Sequence, residues 1–409
     1  MSKSKVPQIR FKGFSGEWNN ENLGKLANFS KGQGYSKNDL VEDGKPIILY
    51  GRLYTKYQAV ISKVDTYVKE QQNSILSKGN EVVVPASGET AEDIARASAI
   101  KTPNLLIGGD LNIIYPNNEI DNSFLALNIS NGRTQKNLSK KAQGKSVVHL
   151  RNNDLKEIDL FYPYKDEQIK ISNYFQQLDI LIEQKEKKYQ KLKQFKKAML
   201  DKMFPKNGAN TPEIRFKGFS EKWEEKKLGE LIEFIVDNRG KNPRYYCNEG
   251  IPVIDNFMIK NNYHPNLREA TRFIDDNLFK NFIRKYVNPN DTIITLVGNG
   301  IGNITLVPKE KSVIIQNTLG LRFSNEKIFM FYCLLSKNKE IKHLDRGMAQ
   351  PSIRQDELLD IEIKVPIDTK EQKKIGNYFQ KLDKQIDLQQ KELEKLKNIK
   401  KASLSKMFV

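Results

Sequence analysis

The stretch that most constrains this chain occurs twice. Glu167-Gln168-Ile169-Lys170-Ile171-Ser172-Asn173-Tyr174-Phe175-Gln176-Gln177-Leu178-Asp179 runs on to Lys202-Met203-Phe204-Pro205. Glu371-Gln372-Lys373-Lys374-Ile375-Gly376-Asn377-Tyr378-Phe379-Gln380-Lys381-Leu382-Asp383 runs on to Lys406-Met407-Phe408-Val409. The copies align without a gap, 204 positions apart. Each predicts one helix of roughly 36 residues, about 54 Å long at ~1.5 Å per residue.

The apolar spacing within the copies is that of a heptad seam. Leu178, Ile182, Lys185, Tyr189, Leu192, Lys196, Met199 and Met203 step by alternating four and three, as do Leu382, Ile386, Gln389, Leu393, Leu396, Lys400, Ser403 and Met407. Lys185, Gln389, Lys196 and Lys400 interrupt the seam, and neighbouring Phe195 and Ile399 are candidates to fill a layer. Two independent surface helices would also fit the pattern. Matched length and phase favour the two pairing with each other. Pro205 and Gly208 predict the end of the first helix. Thr369 with Gln372 predicts a capping box for the second; the first copy has Lys165 there, which leaves Asp166 as its cap.

Two further blocks repeat. Pro7-Gln8-Ile9-Arg10-Phe11-Lys12-Gly13-Phe14-Ser15 returns as Pro212-Glu213-Ile214-Arg215-Phe216-Lys217-Gly218-Phe219-Ser220, with Trp18 matching Trp223 and Leu23-Gly24 matching Leu228-Gly229. Ahead of each helix, Gly144, Leu150-Arg151, Asp154-Leu155, Ile158 and Pro163 match Gly347, Ile353-Arg354, Glu357-Leu358, Ile361 and Pro366. A period near 205 is too long for a solenoid repeat and means two whole domains, each followed by a long helix. The expected divisions are 1–165, 166–205, 206–368 and 369–409.

Between the repeated blocks, residues 27–143 and 232–346 do not align by eye. Both still read as strand-rich α+β domains. Pro46–Tyr50, Glu81–Val84 and Leu111–Tyr115 predict strands in the first; Ile251–Ile254, Thr292–Val297 and Val313–Ile315 do so in the second. The apolar runs Phe124–Leu127 and Ile328–Leu335 predict buried helices.

Composition narrows the partners. Net charge is +18 with 68 Lys and Arg against 50 Asp and Glu, a balance that suits a polyanion. No apolar run approaches 18 residues, so no membrane span is expected. The start, Met1-Ser2-Lys3-Ser4-Lys5, leads into no apolar segment, so no secretory signal is expected. Cys247 and Cys333 fit a reducing cytoplasm, and His149, His264 and His343 form no metal-ligand pattern. No metal site is expected.

The search for chemistry returns loops rather than a catalytic centre. Gly298-Asn299-Gly300-Ile301-Gly302 resembles a phosphate loop, but Asn303–Pro308 follows it as a strand, so a tight hairpin is the better account. There is no Gly-Lys-Ser/Thr loop, no Asn-Pro-Pro-aromatic stretch, and no carboxylate cluster followed by a spaced Glu-x-Lys. ATPase, methyltransferase and nuclease machinery are therefore not expected. Candidate nucleic-acid contacts are Lys31, Gln33, Tyr35, Lys37, Arg52, Tyr54, Lys56 and Tyr57 in the first domain. In the second they are Asn238, Arg239, Lys241, Arg244, Tyr245, Asn299 and Arg346. Arg and Lys match guanine and Asn and Gln match adenine in the major groove, while other cations hold phosphates.

Taken together, two divergent domains, each introduced by Pro-x-Ile-Arg-Phe-x-Gly-Phe and closed by Glu-Gln-x-x-Ile…Phe…Leu-Asp, resemble the DNA-specificity subunit of a type I restriction-modification system. The likeness covers essentially the whole chain. It implies an α+β fold with two similar target-recognition domains, near 20–160 and 225–365, in a pseudo-two-fold tandem duplication. An antiparallel coiled coil of the two long helices would separate them as a spacer. It implies a non-catalytic subunit of a DNA adenine methyltransferase and restriction endonuclease, reading a bipartite duplex target in the cytoplasm. Two modification subunits would dock on it, with restriction and motor subunits beyond. S-adenosylmethionine, ATP and magnesium would belong to those partners. Two other readings stay open: a nucleic-acid enzyme with an unrecognised active site, and a protein-only scaffold.

Overall fold

The computed structural model describes residues 5–142, 144, 147–206, 208–240, 242–346 and 351–409. The chain divides into two compact units, one of residues 1–186 with 392–409 and the other of residues 187–391. Neither unit is a continuous stretch equal to one repeat. Each is a globular domain with the near half of its own long helix and the far end of the other.

In the first unit a sheet of five strands runs in the order Ala27–Lys31, Leu111–Pro116, Val82–Pro85, Ser98–Ile100, Val60–Ile61. All neighbours are antiparallel except the last pair. Val82–Pro85 lies at the centre and is buried along its length, as expected of a strand covered on both faces. Helix Asn122–Ile129 packs on the sheet with all eight residues buried. Its apolar residues point all round, as they must in a helix with no solvent face. A second sheet, ordered Leu106–Ile107, Lys45–Ile48, Tyr67–Val68, Leu40–Val41, forms an insert whose Ile48 and Ile107 share a core with Val83 and Ile113 of the main sheet.

The second unit repeats the skeleton. Ile232–Val236, Thr318–Phe323, Thr292–Thr295 and Ile304–Leu306 form an antiparallel sheet in that order, covered by the buried helix Lys327–Ser336. Its insert is smaller: among the described residues its one two-stranded sheet pairs Ile251–Pro252 with Phe273–Ile274. Val313–Ile315 is not a strand; Val313 makes a lone bridge to Val253. Thr318–Phe323 supplies the strand that its polar start, Gln316-Asn317-Thr318, concealed. Gly298, Gly300 and Gly302 have positive φ and turn the antiparallel hairpin between Thr292–Thr295 and Ile304–Leu306, a conformation for which glycine carries no penalty.

The repeated blocks join in space. Asn19–Asn22 pairs with Asp159–Tyr162, and Glu224–Lys227 with Glu362–Val365. Arg10 clamps Glu167 through Nε and Nη2, both at 2.7 Å, and Arg215 holds Glu371 the same way at 2.7 and 2.8 Å. Both carboxylates are 1% exposed. A buried charge is tolerable only when paired in this manner, which accounts for the retention of Ile-Arg-Phe and Glu-Gln together.

The long helices span Lys165–Lys202 and Thr369–Met407. The predicted capping box is absent. Asp368 caps the second helix instead, its Oδ1 accepting from the Lys370 amide at 2.7 Å, and Gln372 donates to the Pro366 carbonyl at 2.8 Å. The first helix receives no cap from Asp166: the Tyr164 carbonyl accepts from the Glu167 and Gln168 amides, and Gln168 donates to the Pro163 carbonyl as Gln372 does to Pro366.

Within each unit the two helices run antiparallel. In the first, Tyr174 meets Ser403, Asp179 meets Lys400 and Lys185 meets Glu392. In the second, Tyr189 meets Gln390 and Lys196 meets Asp383 at 2.6 Å. The seam residues Leu178, Ile182, Tyr189, Leu192, Met199, Leu382, Ile386, Leu393, Leu396 and Met407 are all buried or half-buried. Phe195 and Ile399 do not fill the interrupted layers; they are 47% and 39% exposed. Acids on the facing helix neutralise the seam lysines instead. Asp179 and Asp383 are equivalent positions of the repeat, as are Lys196 and Lys400, so one pairing is made twice with the helices exchanged.

Each helix end becomes core. Phe408 lies 5.8 Å from Phe124, 6.1 Å from Phe175 and 6.4 Å from Trp18, ring centre to ring centre. Phe204 lies 5.8 Å from Phe329 and 6.0 Å from both Phe379 and Trp223.

Candidate nucleic-acid interface

In both units three loops leave the same end of the main sheet. Antiparallel pairing dictates this: where one strand ends, its neighbour begins. Lys31 pairs with Asn112, and Leu111 with Pro85, so loops 32–37 and 108–110 emerge together with segment 86–90, whose Ser87–Gly88 pairs with Val148–His149. Val236 pairs with Gly320, and Thr295 with Thr318, which gathers loops 237–240, 296–303 and 316–317. A third repeated element fastens each cluster. The Leu150 amide donates to the Ala86 carbonyl at 3.0 Å, and the Ile353 amide to the Leu296 carbonyl at 2.8 Å.

The first cluster is built on close backbone contact. A Cβ on Gly32 would sit 1.9 Å from the Gly108 carbonyl oxygen, so only glycine fits. The Gly109 amide donates to the Gly34 carbonyl at 2.7 Å. Lys31, Gln33 and Lys37 are exposed around this turn. The Tyr35 hydroxyl meets Ser74 Oγ at 2.5 Å and accepts from the Gln71 amide at 2.8 Å, which ties the turn to the insert. Tyr54 donates to the Ser87 carbonyl at 2.8 Å; burial pushes its phenol above the usual range.

The other candidates of this unit are engaged by the chain's own groups. Arg52 is 8% exposed and donates to Asp65 at 2.5 Å and Gln58 at 3.0 Å. Lys56 holds the second oxygen of Asp65 at 2.5 Å. Tyr57 donates to the Ala97 carbonyl and Ser130, and Arg96, overlooked in the sequence, lies 5.1 Å over its ring.

In the second cluster Asn238 is 4% exposed and spends its amide on the Lys285 and Ile314 carbonyls and the Lys285 amide. Next to it, Arg239 lies in an open cleft of about 450 Å³ lined by Asp237, Arg239, Gly240, Val297, Gln316 and Asn317. Arg244 is exposed, and Tyr245 donates to Asp275 at 2.8 Å. Asn299 is exposed at the hairpin tip, its carbonyl accepting from Asn256 at 3.1 Å. Arg346 is 68% exposed and pairs with Glu357 at 2.6 Å. Lys241 lies outside the described residues. Sequence reasoning passed over Gln316 and Asn317, since a Gln-Asn pair before an unrecognised strand gives no loop signal.

Among the described residues, no group of three His, Cys, Asp or Glu side chains could hold a metal ion. No helix among them is long and apolar enough to cross a membrane.

The sequence matches the type I restriction modification DNA specificity domain twice, over residues 15–194 and 220–398. The type I restriction enzyme MjaVIII specificity subunit of Methanocaldococcus jannaschii is 24% identical over 404 residues, covering 94% of this chain and 90% of that one. The MjaIX specificity subunit of the same organism is 28% identical over 64% of this chain and 63% of its own. Among solved structures, the type I restriction-modification S subunit from M. genitalium superposes with a TM-score of 0.67 at 18% identity, covering 99% of each chain. A chain from a structure describing complex assembly and conformational transition of the type I R-M system gives 0.53 at 16% identity, covering 95% of this chain and 96% of that one. With two copies of the matching domain filling most of its length, the chain belongs to the type I restriction-modification DNA specificity family, as a non-catalytic specificity subunit.

Proposed function

We propose that each unit reads one half of a bipartite duplex target, and that the paired helices set the gap between the halves while seating two modification subunits. Methyl transfer, with S-adenosylmethionine, then belongs to those subunits, and ATP and magnesium to motor subunits that join for cleavage. The complex works in the cytoplasm, where its DNA is. One observation carries the reading: the same sheet end, fastened in each unit by the equivalent amide hydrogen bond, bears unlike loops in the two units. A framework kept constant while its loops diverge suits a reader of two different sequences. The exposed Lys31, Gln33 and Lys37, and Arg244, Asn299 and Arg346, offer phosphate and base-edge donors at or near those loops. Tyr35, Tyr54 and Tyr245 brace them, and Lys241 adds a further cation by its place in the sequence. Arg52, Lys56, Tyr57 and Asn238 support their own domains.

The test exchanges the loops. Residues 27–143 are replaced by a copy of residues 232–346, and the methylated motif is read genome-wide from cells carrying the variant with its modification subunits. The expected motif keeps one half and changes the other to match it. A motif altered in both halves would mean that the units do not read DNA independently.

A further inference from the structure

The candidate set contains one arginine whose geometry differs from the rest. Arg239 is neither buried in a domain core nor loose on the surface. Its Nε and Nη2 donate to the two oxygens of Asp237 at 2.9 and 2.8 Å, and the Arg239 amide also donates to Asp237, at 3.0 Å. The carboxylate therefore grips both the backbone and one edge of the guanidinium. The Arg239 guanidinium holds the Asp237 carboxyl below its usual range, so the grip persists at neutral pH.

Counting donors locates the free edge. A guanidinium has five N–H groups in a fixed plane. Asp237 takes Nε–H and the Nη2 hydrogen beside it. The other Nη2 hydrogen goes to Gln355 Oε1 at 2.8 Å. Among the described residues Nη1 makes no hydrogen bond, so the remaining edge of the plane carries two unused donors and one held by an amide oxygen. Parallel donors of that kind are what guanine O6 and N7 accept in the major groove. Gln355 Oε1 occupies the place that one of those acceptors would take.

The surroundings fit a base edge. The cleft is open and lined by residues from three loops of the sheet end, polar ones from two of them and Val297 from the third. Asn317, held at positive φ, lines it with a side-chain amide that has no hydrogen bond among the described residues. The equivalent loop of the first unit has Gly32-Gln33-Gly34 where Asp237-Asn238-Arg239 stand here, so the device belongs to one unit only.

We propose that Arg239, held in plane by Asp237 and Gln355, reads a guanine in the half-site of the second unit, with Asp237 as its positioning residue. This rests on the reading of the chain as a two-part DNA reader. On binding, Gln355 gives up its hydrogen bond to the base, and the ion pair to Asp237 remains. Arg239 then discriminates guanine from other bases by roughly ten- to a hundredfold.

The experiment uses the full chain with its modification subunits. Methylated motifs are read from cells carrying Arg239→Ala and Arg239→Lys. Both are expected to make one guanine of the second unit's half-site degenerate and to leave the other half unchanged. The lysine variant keeps the charge and loses the fork, so it separates base reading from phosphate contact. If a variant methylates too weakly to read, the purified complex is competed with duplexes carrying each single base-pair change. A flattened preference at one G·C pair supports the assignment; a uniform loss of affinity with every preference retained overturns it, as does an unchanged motif. Asp237→Asn is expected to weaken the same position alone. An unchanged motif in the Arg239 variants together with a successful loop exchange sinks this assignment only, whereas a failed exchange sinks the two-part reading beneath it.

Discussion

The first and second units share a skeleton and differ in what hangs from it. The order of four sheet strands, the buried helix, the arginine clamp on one long helix and the aromatic cluster around the far end of the other recur pairwise. The inserts do not. One is a four-stranded sheet, the other a two-stranded one. The repeated parts are the ones with many simultaneous partners. Glu167 cannot change without stranding Arg10, nor Phe408 without opening a cavity among three rings. The exposed residues Lys31, Gln33, Lys37 and Arg244 meet fewer such constraints, so the two copies were free to become different there. Constraint by packing therefore separates the supporting part of the molecule from the reading part.

The largest test of that division falls on the borrowed helix ends. Phe408 and Phe204 are 6% and 5% exposed. Phe408→Ala and Phe204→Ala are each expected to cost about 3–5 kcal/mol, the usual range for an aromatic deleted from a core. Denaturant unfolding measures the loss, and hydrogen exchange locates it. Exchange is expected to quicken in Asn122–Ile129 for the first variant and in Lys327–Ser336 for the second. Losses below about 1 kcal/mol would mean that the helix ends do not belong to these cores.

A smaller effect sharpens the comparison by separating equivalent positions. Lys196 and Asp383 are each 13% exposed, and Tyr332 donates to the second oxygen of Asp383 at 2.6 Å. Burial and that carboxylate push the Tyr332 phenol far above its usual range, so it remains a donor. In the first unit the equivalent pair, Lys400 and Asp179, is 23% and 38% exposed, and Leu127 stands where the second has Tyr332. Removing Lys196 strands a buried charge, so Lys196→Ala is expected to cost about 3 kcal/mol. Lys400→Ala is expected to cost less than about 1 kcal/mol. Equal losses would show that the repeated pairing, rather than its burial, sets the energy.

Much of this was legible in the sequence because it was written twice. The duplication and the buried helices at Phe124 and Phe331 came from patterns a few residues long. The exchange of helix ends was not legible. Lys-Met-Phe at each terminus gives no sign of which domain it enters, because that depends on antiparallel pairing between residues some two hundred positions apart. The seam lysines looked like defects for the same reason, since their acids, Asp179 and Asp383, lie on the other helix. At the candidate interface the difficulty was burial. Arg52 and Asn238 sit in stretches as polar as those of Arg239 and Arg244, and only tertiary packing turns two of the four inward.

The smallest expected effect concerns the insert of the first unit. Asp65 joins Arg52 and Lys56, and its carboxyl is held at about 2, first by the Lys56 ammonium and then by the Arg52 guanidinium. A carboxyl whose folded pKa lies below its unfolded value stabilises the fold above roughly pH 4, and that contribution is lost as pH falls toward 2. Asp65 is 60% exposed, so solvent screens the pair and the contribution is small. In the second unit Arg272 pairs with Asp255, and that carboxylate is only 8% exposed. Carboxyl titration followed by NMR is expected to give Asp65 a midpoint near about 2, rising toward the usual carboxylate value in Lys56→Ala. Between pH 4 and 2 the insert strands Lys45–Ile48 and Tyr67–Val68 are expected to lose protection slightly in the wild-type chain. The Lys56→Ala variant should show less of this pH-dependent loss, having less of the pair to lose. A midpoint near 4 in the wild-type chain would mean that Asp65 is not paired in solution, and that Arg52 is available for another partner.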